Sequence, residues 1–399
     1  MFNIRSNKAL FNMFSITILL ITFNNVSHIS MKYLGLASIT IFLLFNSLIL
    51  MYSFTKTLNI IKYKKGLVFF YITFIVLMTI GVLINISQRA IITQMQFILL
   101  INYFLVFSMI KYEEKLINTK IIFLVLSIFL SIFYIGLITI NPFETNYKSI
   151  YSNPNVLGLF AIMLFGISKI IYMITNKKIY KIYSFVYVPI IILTGARTSI
   201  LSFILIVSFN LLFDLFTKNR IKWNLVLLIF IVAMTIIIYV YLNIESYFFF
   251  EQVNSLVFSI TGKRILSGRN IIWKQAFELI KQKPWMGYGT GTTLSSLNGI
   301  TLSAHNLYIQ IMIQNGLIGI FLFLSIIIAI WNILYYGKED RIVKLCSSFL
   351  LGTLAINMFE VTFLQNNLSV AIMQWFFISV GVSRALNKSK TILTDTKTG

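Results

Sequence analysis

Long apolar runs recur along the whole chain, each closed by a short polar or basic stretch, without the apolar-polar alternation of a half-buried strand. Twelve are read, at approximately 9–27, 34–54, 67–87, 90–110, 121–141, 155–173, 182–196, 198–217, 223–243, 306–336, 342–361 and 367–385. A helix of about 20 apolar residues crosses about 30 Å of hydrocarbon. The pattern therefore predicts an all-α integral membrane protein with about 12 transmembrane helices, in one polytopic domain over residues 1–399. Composition agrees: 58% of the residues are hydrophobic and 11% charged, where soluble domains carry about 25% charge. The first run, behind Arg5 and Lys8, resembles a signal peptide. Asn24 and Asn25 interrupt it and no small-residue cleavage pattern follows, so it is read as an uncleaved span.

Charge then orients the bundle. A formal net charge of +22 would suit nucleic acid if it lay on one face or in one tail, but the basic residues fall in alternate connections. The N-terminus, the connections after even-numbered runs and the C-terminus hold most of them, which predicts that both termini face the cytoplasm of a cell membrane. The connections after runs 1, 3, 5, 7 and 11 hold at most one each. A single cysteine, Cys346, offers neither a disulfide framework nor a cysteine metal site.

One connection breaks the pattern. Residues 244–305, expected outside the cytoplasm between spans 9 and 10, carry Lys263, Arg264, Arg269, Lys274, Lys281 and Lys283 against Glu245, Glu251 and Glu278. A connection this long without a fold of its own is usually functional or disordered. Trp273, Phe277, Trp285 and Tyr288 argue against disorder. Within it, GRNIIWKQAFELIKQKP reads as an amphipathic helix with Ile272, Trp273, Ala276, Phe277 and Ile280 on one face, Ser267 as cap and Pro284 as stop. It is expected to lie in the outer membrane interface with its apolar side toward lipid.

Few groups on that side can do chemistry. Arg197, in the short turn TGARTS, has almost no acidic neighbour in sequence; alone, such an arginine is commonly a lipid-phosphate anchor. GYGTG at 287–291 follows no strand and lacks the third glycine of a dinucleotide fingerprint, so it reads as an ordinary flexible loop. His305 precedes an apolar run and is expected in the first turn of a helix capped by Ser303, where the positive helix end favours a neutral ring able to accept a proton. Gly316 and Gly319 read as a small-residue packing patch. Glu360, near the outer end of run 11, is an isolated carboxylate able to orient His305 or an arginine, or simply a solvated helix end. Asn306, Tyr288, Tyr308 and Gln310 are candidate sugar contacts, although aromatic residues at such depths are often belt anchors.

Taken together, His305-Asn306, nine residues, Gly316, two residues and Gly319 resemble the H-N-x9-G-x-x-G element of the O-antigen ligase and polysaccharide polymerase family. GARTS with Arg197, GRNIIW with Arg269, the P-x-x-G-x-G of Pro284, Gly287 and Gly289, and SNPN at 152–155 occur in that family's order. The resemblance covers about residues 150–335 and implies a GT-C-like glycosyltransferase acting outside the cytoplasm on a glycan carried by undecaprenyl diphosphate, with a glycan or lipid-linked glycan as acceptor. Such a transfer suits His305 as base and Arg269 and Arg197 as catalytic cations on the diphosphate, and Asn306, Tyr288, Tyr308, Glu360, Lys263 and Arg264 are read as candidates around the substrates. Neither a metal nor another cofactor is expected. Two other classes stay open: a lipid-linked oligosaccharide transporter or flippase, which would place ionisable groups near mid-span in repeated halves, and a non-catalytic assembly subunit.

Overall fold

The computed structural model describes residues 4–52, 65–139, 146–261, 265–266, 268–298 and 303–395. Among them the regular structure is helical: α1 (Ile4–Thr22), α2 (Ile29–Tyr52), α3 (Lys65–Ile84), α4 (Gln88–Ser108), α5 (Thr119–Thr139), α6 (Pro154–Thr175), α7 (Lys178–Leu193), α8 (Arg197–Phe216), α9 (Arg220–Asn243), α10 (Phe250–Thr261), α11 (Arg269–Gln282), α12 (Leu294–Asn298), α13 (Leu307–Leu334), α14 (Arg341–Ile356) and α15 (Leu368–Asp395). Each of the twelve apolar runs falls on one of these helices. Nine helices among the described residues are long and apolar enough to cross a membrane, against about twelve spans expected. Of the three remaining runs, two fall on α7 and α14, which have 16 residues each and rise only about 24 Å, and the third on α1, whose first turns carry Arg5, Asn7 and Lys8.

The bundle is built around α6 and α15, whose surfaces are almost wholly covered, while α8 and α9 turn most of theirs outward. Aromatic packing fixes the centre: Phe349 of α14 stacks on Phe377 of α15 with ring centroids 3.9 Å apart, and Phe363 stacks on Trp375 at 4.5 Å. Trp223 and Trp331 clamp α9 to α13, since each indole N–H donates to the other's backbone carbonyl at 3.0 Å. Burying two indoles without those acceptors would cost a few kcal/mol. At the end where α14 begins, Asp340 accepts from Ile342 N as the helix cap and pairs with Arg384, whose Nη1 donates to the Tyr112 carbonyl.

At the other end, the segment between α9 and α13 is held by main-chain bonds. Gly316 interrupts α13 with φ 63° and ψ −161°, which strands carbonyls before the break and amides after it. Residues 284–289 supply the partners: Tyr288 N and Gly289 N donate to Ile313 O and Gln314 O, and Leu317 N and Ile318 N donate to Pro284 O and Trp285 O. A side chain on Gly316 would overlap the Trp285 carbonyl, so glycine is required for the geometry and for the approach. Beyond the break-point, Thr290 is fully buried and donates to Met78 O of α3, and Gln310 and Gln314 both donate to Thr292 O. GYGTG is thus a buried wedge, not a flexible loop, and Gly316 is a break in the helix as well as a packing position.

The amphipathic helix α11 forms as expected, with Ile272, Trp273, Ala276, Leu279 and Ile280 buried. Its apolar side meets protein rather than lipid. Trp273 lies against Tyr241, Ile309 and Ile313 share its apolar cluster, and the indole donates to the Ala304 carbonyl at 2.7 Å. The expected cap Ser267 lies outside the described residues; the N-cap is Gly268, at φ 78°, with no capping side chain.

Candidate functional site

The site gathers where α14 ends and α13 begins. After Ile356 the chain turns through Asn357, whose Nδ2 donates to Thr353 O while its Oδ1 accepts from Thr362 N and Phe363 N. The Asn357 carbonyl also accepts from Leu307 N at 2.9 Å, joining the turn that carries Glu360 to the segment that carries His305. One buried asparagine therefore joins both ends of the site, its carboxamide folding the turn and its main-chain carbonyl holding the His305 segment.

His305 lies outside the helix, where first-turn placement was expected. The N-cap of α13 is Asn306, whose Oδ1 accepts from Ile309 N at 3.0 Å, and His305 precedes it at φ 45°. Left-handed backbone is strained for a residue with a Cβ, and such strain persists only where surrounding contacts impose it. Here they do: Ser303 Oγ accepts from His305 N, and Trp273 holds the carbonyl of Ala304. Ser303 thus fixes the loop instead of capping the helix. The imidazole is pinned at its backbone and open at its ring, the side chain being 43% exposed.

Glu360 is the centre of the cluster. Its Oε2 lies 3.6 Å from His305 Nδ1, its Oε1 lies 3.9 Å from Arg269 Nη2, and the same Oε1 accepts from Asn155 Nδ2 at 3.0 Å. With its side chain 16% exposed, this carboxylate is no solvated helix end. A charge so withdrawn from water needs the partners it has. Arg269, at the first turn of α11, also rests its guanidinium over Phe359, 5.8 Å from the ring centroid. Asn155 opens α6 behind Asn153, which caps that helix, so the SNPN stretch delivers an amide to the carboxylate. In the same approach, burial raises the hydroxyls of Tyr147 and Tyr151 above their usual range, so both stay neutral.

Arg197 begins α8 at the same end of the bundle. Its neighbour Ser199 donates to the Asn155 carbonyl at 3.5 Å, and Gly158 of α6 lets that turn approach closely. Arg197 and the Glu360 cluster thus share the first turn of α6. The remaining candidates sit apart. Tyr308 is buried and donates to Leu354 O at 2.8 Å. The Tyr288 hydroxyl bonds Leu279 O and Gln282 Oε1, beneath the Lys283 ammonium. Asn306 is wholly buried, and its Nδ2 has no partner among the described residues. Gln310 is committed to Thr292. Lys263 and Arg264 lie outside the described residues. Among the described residues, no group of three or more His, Cys, Asp or Glu side chains is positioned to hold a metal ion.

The fold and this cluster define a multi-pass membrane protein that collects an imidazole, a guanidinium and a carboxamide around one carboxylate at one end of its bundle. Residues 182–324, which include Arg197, Arg269 and His305, match the family described as O-antigen ligase. It is also 30% identical over 185 residues to the ComP-specific O-oligosaccharyltransferase of Acinetobacter baylyi, a match covering 43% of this chain and 32% of that protein. The chain thus spans about a third of the length of the curated relative it matches. Asn155 and Glu360 fall outside the family segment.

Proposed function

We propose that the chain is a membrane-embedded glycosyltransferase that moves an undecaprenyl-diphosphate-linked oligosaccharide onto an acceptor outside the cytoplasm. The observation that carries the proposal is the convergence of His305, Arg269 and Asn155 on Glu360. Glu360 faces Nδ1 of the imidazole, which leaves Nε2 for the acceptor. An acceptor hydroxyl oxygen attacks the anomeric carbon from the side opposite the diphosphate, the bond from that carbon to the diphosphate oxygen breaks, and its electron pair leaves with the lipid diphosphate. The hydroxyl proton passes to Nε2, and the configuration inverts. Arg269 and Arg197 stabilise the charge that grows on the leaving diphosphate, a task suited to guanidinium forks that remain ionised. The step calls on neither a nucleotide nor a metal ion.

The acceptor distinguishes three versions of this chemistry: another lipid-linked repeat unit for a polymerase, a lipid A core sugar for a ligase, or a protein hydroxyl, the last suggested by the name of the Acinetobacter relative. Deleting the chain in its host and analysing the surface glycan separates them. Single repeats capped on core indicate a polymerase, accumulated lipid-linked polymer a ligase, and a host protein stripped of its glycan an oligosaccharyltransferase. Unchanged glycans on lipid and protein alike would overturn the proposal.

A further inference from the structure

A cavity of about 510 Å³ opens beside Arg269 and takes no part in the chemistry described above. One wall is the start of α11, where Gly268 and Asn270, the two neighbours of Arg269, both line it. The other wall is α10, through Glu251, Asn254, Ser255 and Phe258. These positions are spaced i, i+3, i+4 and i+7, so a single helix stripe faces the cavity. The opposite side of α10 is apolar and uncovered, with Val253 and Leu256 exposed. Phe248 and Phe249, just beyond the end of the long apolar helix α9, are exposed as well. This two-sided pattern suits a helix lying flat at a membrane boundary with its polar stripe over the cavity.

We infer that this cavity is the acceptor subsite, and that it holds a sugar ring of the acceptor glycan; the inference rests on the transferase proposal. Its volume lies within the roughly 300–1,000 Å³ of sites that bury a small molecule. Its charge sorts the two substrates. Glu245 and Glu251 face the space; Asn270 Nδ2 and Lys274 Nζ engage Glu245 at 2.8 and 3.1 Å, while Glu251 forms no ion pair among the described residues. A diphosphate dianion is repelled there and drawn to the arginines, whereas sugar hydroxyls donate to carboxylates in charge-assisted hydrogen bonds. Asn254 and Ser255 add hydrogen-bonding groups, and Phe258 offers a flat apolar surface to the C–H face of a ring. A peptide fits less well, because extended peptides dock on strand edges and helical ones in apolar grooves. Neither a strand nor an apolar groove borders this cavity among the described residues.

The test uses the full chain in membranes of the deletion host, with the host's lipid-linked oligosaccharide fraction as donor. Glu251→Gln removes the charge and Ser255→Trp fills the space; both positions are exposed, and abundance is checked by immunoblot. With delipidated host surface glycan as the varied acceptor, each variant should raise the acceptor KM at least about tenfold and leave the donor KM unchanged. The same shift with intact lipid-linked glycan as acceptor would show that the sugar, not its lipid, is recognised; a shift seen only with the lipid-linked form would overturn the sugar assignment. Unchanged acceptor KM in both variants, in membranes where Arg269→Ala is inactive, would remove the subsite and leave the transferase proposal standing. Full activity of Arg269→Ala would remove that arginine from the chemistry, and no transfer by the unsubstituted chain would remove the transferase proposal itself. If the variants block transfer to a deglycosylated host protein and not to the glycan, the occupant is a peptide.

Discussion

Glu360 Oε2 lies 3.6 Å from His305 Nδ1, so Nδ1 is the imidazole nitrogen nearer the carboxylate and Nε2 is the one turned from it. Glu360→Gln keeps the shape of the side chain but withdraws the charge that His305 and Arg269 share. Transfer should fall about 10- to 100-fold, in keeping with the loss of a group that orients an acid-base residue. Rates in membranes at matched abundance check this; a rate within a factor of two of the parent would show that the carboxylate does not orient the base.

His305→Ala should abolish transfer while abundance and partner association stay normal. That pairing separates an enzyme from an assembly subunit, for which the ring would be dispensable. Gel analysis of the surface glycan with a co-purification assay supplies both readouts.

The roles proposed for Arg197 and Arg269 call on the shape of the guanidinium as well as its charge. In Arg269→Lys, an ammonium replaces a planar group that rests on Phe359 and reaches Glu360, and Arg197→Lys loses the fork that suits a diphosphate. Each change should reduce transfer by about tenfold or more. Retained activity in Arg197→Lys would strike paired phosphate contacts from its role.

Trp273→Phe tests how far the helix α11 positions the histidine. The indole hydrogen bond to Ala304 O is lost, at about 1–2 kcal/mol, while most of the apolar packing remains. Both a lower thermal midpoint in detergent and a reduced rate are expected, since Ala304 adjoins the strained His305. A stability loss with no change in rate would mean that Ser303 and Asn306 suffice to hold the loop.

Gly316→Ala should be among the most damaging single changes in the chain. The new methyl group meets the Trp285 carbonyl in a backbone conformation that disfavours any side chain, a cost on the order of 3 kcal/mol. Thermal unfolding and cellular abundance report it directly.

Local pattern carried the helices and much of the site. The apolar runs mark where helices form, and the buried face of α11 is readable from its period, save that Leu279 is buried while Phe277 is only partly so. An apolar run marks a helix without fixing its length, and α7 and α14, at 16 residues each, fall short of the length that marks a membrane span. Arg269, His305 and Glu360 were all candidates from sequence, but their meeting depends on contacts between residues 155, 269, 305 and 360 that no local spacing encodes. The break at Gly316 was hidden for the same reason: a glycine pair in an apolar helix looks like a packing patch until a distant loop is seen to occupy the gap.

The clamp at Gly316 is made of main-chain atoms, and the side chains on its two strands, Trp285, Met286, Leu317 and Ile318, point outward. Residue identity at those four positions can therefore drift without loosening the joint. A lineage would be able to rewrite the exposed shell of this region while inheriting the anchorage beneath it intact.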